Sequence, residues 1–120
     1  MQQIESHLKK FQKQLSAGSV SLVLLSVLGQ AREPMYGYQI GKRLEKNGEG
    51  FLSGKQGALY PVLRKLDAAG LLASELAPST AGPPRRYYRI TGQGREVLNA
   101  WIGAWKSTRE FVDGMLQRLQ

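Results

Sequence analysis

Apolar side chains at Ile4, Leu8, Phe11 and Leu15 recur at spacings of four, three and four, with Glu5, Lys9, Lys10 and Lys13 on other faces. This period predicts an amphipathic helix over residues 1–18 whose single stripe needs a covering surface, because isolated helices of this length are marginal in water. Gly18 is expected to stop it, and Ser19 to cap the next one. Residues 19–30 are apolar on almost every face, the pattern of a helix enclosed by its neighbours, and predict the centre of the core. A turn at Arg32, Glu33, Pro34 and Met35 leads to Tyr36-Gly37-Tyr38-Gln39-Ile40, where Ile40 and Leu44 begin a further helical stripe. Gly37 leaves room there for another backbone to approach, and Lys42, Arg43 and Lys46 lie off the stripe. Asn47, Gly48, Glu49 and Gly50 then break the chain.

Ser53 followed three residues later by Gln56 has the form of a capping box. The helix it opens would bury Leu59, Val62, Leu63 and Leu66 and leave Gln56, Tyr60, Arg64 and Lys65 outward. Pro61 predicts a kink near Tyr60, and Gly70 a C-terminal stop. Residues 71–76 and 85–90 read as two short strands joined by a Pro- and Gly-rich loop, a hairpin with a flexible tip. The twofold period of the second strand puts Arg85, Tyr87 and Arg89 on one face and Arg86, Tyr88 and Ile90 on the other, with Tyr88 and Ile90 turned inward. Thr91 can cap a long last helix in which Val97, Trp101, Trp105, Thr108, Val112, Met115 and Leu119 form nearly a heptad seam, widened by Leu98, Ile102 and Leu116. On so small a domain that seam is expected to bury itself against another subunit.

The pattern is mainly α with a small β-hairpin, in the order of a winged helix-turn-helix: residues 1–18 an N-terminal helix making a dimer contact, 19–91 the winged head, 92–120 a dimerisation helix. Charge supports this division. The chain carries seventeen Lys and Arg against nine Asp and Glu, a net of +8. Residues 40–95 hold ten of the bases and four of the acids, whereas the last 25 residues balance three against three. The excess therefore sits on the head, which suits a polyanion.

Other classes find little support. With no cysteine and only His7, neither a thiolate metal site nor a nucleophile with base and orienting partner can be assembled, and no metal or cofactor is expected. Gly54-Lys55-Gln56 lacks the hydroxyl residue and upstream glycine of a P-loop, and Gly92-Gln93-Gly94 is not a dinucleotide fingerprint. The apolar run that follows Lys9, Lys10 and Lys13 invites a signal-peptide reading, but cleavage would remove the best core helix, and the run falls short of the roughly 20 residues of a membrane span. A cytoplasmic protein without a membrane partner is the expectation.

A major groove admits one helix, so Gln56, Tyr60, Arg64 and Lys65 are candidates for base edges or phosphates, and Lys55 for a phosphate at the helix N-terminus. The bland alternative is a solvated polar face. Arg85, Arg86 and Arg89 are candidates for the DNA backbone, against the alternative that they solubilise an edge strand. Trp101 and Trp105, one turn apart, either stack on a flat aromatic ligand or pack as interface core. A winged-helix protein-interaction module and a small-molecule sensor stay open beside DNA binding.

The Tyr36-Gly37-Tyr38-Gln39-Ile40 box, the run Gly57-Ala58-Leu59-Tyr60-Pro61 through Leu63, Leu66 and Gly70-Leu71-Leu72, and Gly82-Pro83-Pro84-Arg85-Arg86-Tyr87-Tyr88-Arg89-Ile90-Thr91 together resemble the PadR family of bacterial transcriptional regulators over residues 19–116. Gly92 stands where that family usually has an acidic residue. The resemblance implies a ligand-responsive homodimeric repressor that binds a near-palindromic operator in double-stranded DNA. Its interface would be made by the C-terminal helix with help from the N-terminal one, through Ile4, Leu8, Phe11, Leu15, Trp101, Trp105, Val112, Met115, Leu116 and Leu119. The length is similar to that of the compact subfamily with a single C-terminal helix, some of whose members bind flat aromatic molecules between tryptophans at the dimer centre.

Overall fold

A computed structural model describes residues 2–47 and 56–120. Among these residues, four helices accompany a small antiparallel sheet: α1 Gln2–Gln30, β1 Met35–Tyr36, α2 Gly37–Asn47, a 3-10 turn Gln56–Ala58, α3 Leu59–Ala68, β2 Leu72–Ala77, β3 Arg85–Ile90 and α4 Gly92–Gln117. Leu24, Leu25, Leu28, Ile40, Leu59, Leu63, Leu66, Leu72 and Tyr88 form the middle of one core. A leucine moved from water into such a core contributes about 1.5–3 kcal/mol.

Helix α1 corrects the expected break at Gly18, because its 29 residues are continuous. The Ser19 hydroxyl donates to the Leu15 carbonyl at 2.6 Å, one turn back, and so serves as a mid-helix residue and not a cap. An interior glycine costs a helix only about 1 kcal/mol relative to alanine, too little to end one that is anchored further along. The anchor is the second half, where Leu24, Leu25, Val27 and Leu28 are buried. By length and composition alone Gln3–Gln30 would suffice to cross a membrane, which the shorter apolar run would not, yet its most apolar part lies in this core.

Met35, read as the end of a turn, instead begins β1, which pairs Met35 with Tyr88 and Tyr36 with Tyr87. The hairpin thus becomes a three-stranded sheet of order β1-β3-β2. A two-residue strand is too short to show a period. Strand β2 starts at Leu72 and not one residue earlier because Leu71 closes the end of α3. Its N–H reaches the Leu66 carbonyl and that of Gly70 the Asp67 carbonyl, both at 3.0 Å, around a glycine with φ of +82°. That is a Schellman closure, and it bears out the stop expected at Gly70.

Candidate nucleic-acid interface

Helix α3 buries Leu59, Leu63 and Leu66, half-buries Val62 and leaves Tyr60, Arg64 and Lys65 exposed on the opposite side. Pro61 does not interrupt it. The chain enters through the 3-10 turn, Ala58 stands at the N-cap, and Pro61 falls in the first α-turn, where backbone N–H groups lack helical partners anyway. Ser53 of the capping box and Lys55 lie outside the described residues, and so does the side chain of Gln56. The room left by Gly37 is taken by a ring and not a backbone: a Cβ there would stand 2.3 Å from Cε1 of Tyr60. Tyr60 is therefore braced on the start of α2 while 43% of it stays open to solvent.

Strand β3 alternates as expected. Tyr88 and Ile90 are buried, and Arg85, Arg86 and Arg89 are all exposed. Two of these arginines are held. The Arg85 guanidinium lies 4.5 Å from the centre of the Tyr36 ring, which meets Tyr87 edge-on at 5.3 Å. Such a stack contributes about 0.5–1 kcal/mol at an exposed site and costs the cation none of its charge. On the other face, Arg86 Nη1 donates to Ser74 Oγ at 3.0 Å, and the Ser74 hydroxyl donates to the Asp67 carboxylate on α3. Burial pushes the Tyr88 phenol above the ordinary tyrosine value, Arg86 and Arg64 acting against the shift and Asp67 and Tyr60 with it. The charges of α3 and of the wing thus converge on one seam.

Tyr36, Asp67 and Ser74 were not among the sequence candidates. Ser74 carried a signal, since pairing opposite Tyr88 puts a polar residue on the inward face of β2. Some cations counted with the head turn elsewhere. Lys42 lies 3.6 Å from Glu45 and 5.5 Å from the Tyr38 ring centre, Arg43 lines a groove with Leu22, Ile102 and Trp105, and Arg95 donates to the Gly29 carbonyl at 3.4 Å.

Thr91 caps α4 as expected, accepting from the Gly94 N–H at 2.9 Å. It also stitches α4 to the end of α3: its N–H donates to the Leu71 carbonyl at 3.1 Å and its hydroxyl faces the Gly70 carbonyl at 2.8 Å. Further along, Trp101 packs half-buried against the core and Trp105 is exposed. Both line an open groove of about 860 Å³ between α1 and α4, with Leu15, Gly18, Leu22 and Thr108. Ile4, Leu8, Phe11 and Leu15 on α1 and Val112, Met115 and Leu116 on α4 are exposed, as is Leu119 just beyond it. So is Phe111, at 70%, which the seam on α4 did not include although it stands four residues before Met115.

A helix with an exposed basic and aromatic side, joined through its C-terminus to an arginine-bearing antiparallel hairpin, defines a winged helix-turn-helix DNA-binding protein. Residues 24–100 match the Transcriptional regulator PadR-like family. The chain belongs to that family and is a DNA-binding transcription regulator. It is similar to a PadR family transcriptional regulator from Eggerthella lenta DSM 2243, at 32% identity and a TM-score of 0.80 over 97% of each chain. It is also similar to a PadR-like transcriptional regulator from Bacillus cereus strain ATCC 14579, at 32% identity and a TM-score of 0.71 over 87% of this chain and 97% of that one.

Proposed function

We propose that the chain is a cytoplasmic homodimeric repressor whose two heads, residues 19–91, bind half-sites of a near-palindromic operator, and that a small flat aromatic effector at Trp101 and Trp105 shifts the angle between them. The observation that carries the DNA-reading role is the exposure of Tyr60, Arg64 and Lys65 on α3 beside the anchored arginines of the wing. Tyr60, Arg64 and Lys65, with Gln56 just ahead of them, read the groove; Lys55, Arg85, Arg86 and Arg89 hold phosphates. Residues 1–18 and 92–120 are the dimer arms. Their apolar stripes are too contiguous to be left in water on a free monomer. The groove at the tryptophans is apolar, open and next to both arms, where an occupant can bias their packing.

Gel shift and anisotropy titration against the region upstream of the chain's own gene, and against a mixed-sequence duplex, test the roles. Arg64→Ala should weaken operator binding by about 1–3 kcal/mol and leave mixed-sequence binding nearly intact; Arg85→Ala should weaken both alike and flatten the salt dependence. The reverse pattern would exchange the two roles. No binding of either duplex at low salt by an intact dimer would favour the protein-interaction reading. Quenching of tryptophan fluorescence by planar aromatics, lost in Trp105→Leu, tests the effector site.

A further inference from the structure

Asp67 is the last residue but one of α3, a position where the helix dipole disfavours an anion. The head around it carries a strong positive excess, so nothing in the overall charge calls for a lone carboxylate to be half-buried at this spot either. What occupies it is specific. The Ser74 hydroxyl gives its only proton to Asp67, so its oxygen is left with lone pairs alone, and these face Arg86 Nη1 at 3.0 Å. The chain of bonds runs in one direction, from guanidinium through hydroxyl to carboxylate, with a charge of opposite sign at each end. Ser74 and Arg86 are diagonal neighbours across the β2–β3 ladder, as the pairings of Ser74 with Tyr88 and of Leu76 with Arg86 require. The relay therefore crosses from the recognition helix through one strand of the wing to the other.

We propose that Asp67 and Ser74 are positioning residues for DNA binding, which hold the Arg86 guanidinium at the seam between α3 and the wing so that its remaining N–H groups meet a backbone phosphate. Arginine has five N–H donors, and the bond to Ser74 uses one of them. A free arginine on an exposed strand loses side-chain entropy when it docks on a phosphate; one already held loses less. This inference rests on the reading that Arg86 meets the DNA backbone, and its test separates the two.

Binding of a mixed-sequence duplex at several salt concentrations isolates backbone contacts. Arg86→Ala should weaken binding and lower the slope of log affinity against log salt by about one released counterion. Ser74→Ala should weaken binding by roughly three- to tenfold in the wild-type background and have almost no effect in the Arg86→Ala background, since it acts only through that side chain. Ser74→Thr, which keeps the hydroxyl, should restore most of the affinity, and Asp67→Asn should fall between. If Arg86→Ala changes neither affinity nor slope, the phosphate contact is wrong and the relay has nothing to position. If Arg86→Ala weakens binding while Ser74→Ala does not, or if the Ser74→Ala loss is the same in both backgrounds, the contact stands and the positioning role is overturned. Circular dichroism and thermal unfolding of each variant separate a loss of fold from a loss of positioning.

Discussion

Gly37 and Gly94 each stand where a methyl group would collide with a neighbour, yet the two neighbours differ in kind. At Gly94 a Cβ would lie 2.1 Å from the Leu71 carbonyl oxygen, a backbone atom that also takes the Thr91 N–H at 3.1 Å. It cannot yield without parting α4 from the end of α3. At Gly37 the obstacle is the outer half of the Tyr60 ring, which can swing away at the cost of its brace on α2. Gly94→Ala is therefore expected to destabilise the fold by about 1–3 kcal/mol or more, read as a lowered urea midpoint. Gly37→Ala should disturb stability less, part of the lost contact being offset by the better helix former, while DNA affinity falls because Tyr60 no longer holds its place. Equal losses of stability in the two variants would mean that Tyr60 is as immovable as backbone, and that its exposure has been misread as freedom.

The elements show which local signals survive packing and which do not. Gly70 ended α3 as its pattern announced, because a positive φ, two closing hydrogen bonds and a strand leaving at once all agree there. Gly18 looked similar in sequence but had no such support: nothing lies within 4 Å of where its Cβ would be, and the helix continues because the leucines beyond it are anchored. Pro61 was misplaced for a related reason, since the 3-10 turn ahead of α3 shifts the helix start and moves the proline into the first turn, a shift periodicity does not reveal. The alternation of β3 was legible residue by residue, as were the exposed candidates on α3, because a buried face fixes the phase of both. The Asp67–Ser74–Arg86 seam was not, since it depends on three elements meeting. One substitution type separates the two glycines: Gly18→Ala should raise thermal stability by up to about 1 kcal/mol, whereas Gly70→Ala should lower it by about 1–2 kcal/mol, the cost of a left-handed conformation for an L side chain. Destabilisation by Gly18→Ala would indicate that another surface lies against that stretch of α1.

For the whole molecule, shape and apolar exposure point the same way. The radius of gyration is 16.6 Å, against about 13–14 Å for a compact chain of this length, and the longest extent is 55 Å. The surplus is in the arms, where Leu8, Phe11, Phe111, Met115 and Leu116 are each about half exposed or more. Those stripes were legible in the sequence because a helical period survives whether or not its partner is present; which surface covers them is a matter between chains. If a second copy does, the two heads act as one bivalent ligand, and affinity for paired half-sites exceeds that of one head by about 10²–10⁴. Met115→Glu and Leu8→Glu would each set a carboxylate into an apolar seam, where it has no partner and loses its hydration. Sedimentation equilibrium should then fall from twice 13.3 kDa to that mass, and operator binding should weaken by the bivalent factor while the mixed-sequence affinity of each head changes little. Unfolding should respond in parallel, the wild-type midpoint rising with protein concentration and those of both variants losing that dependence. A wild-type chain that sediments as a monomer at micromolar concentration, with a midpoint independent of concentration, would refute the dimer and leave the exposed stripes to a different partner.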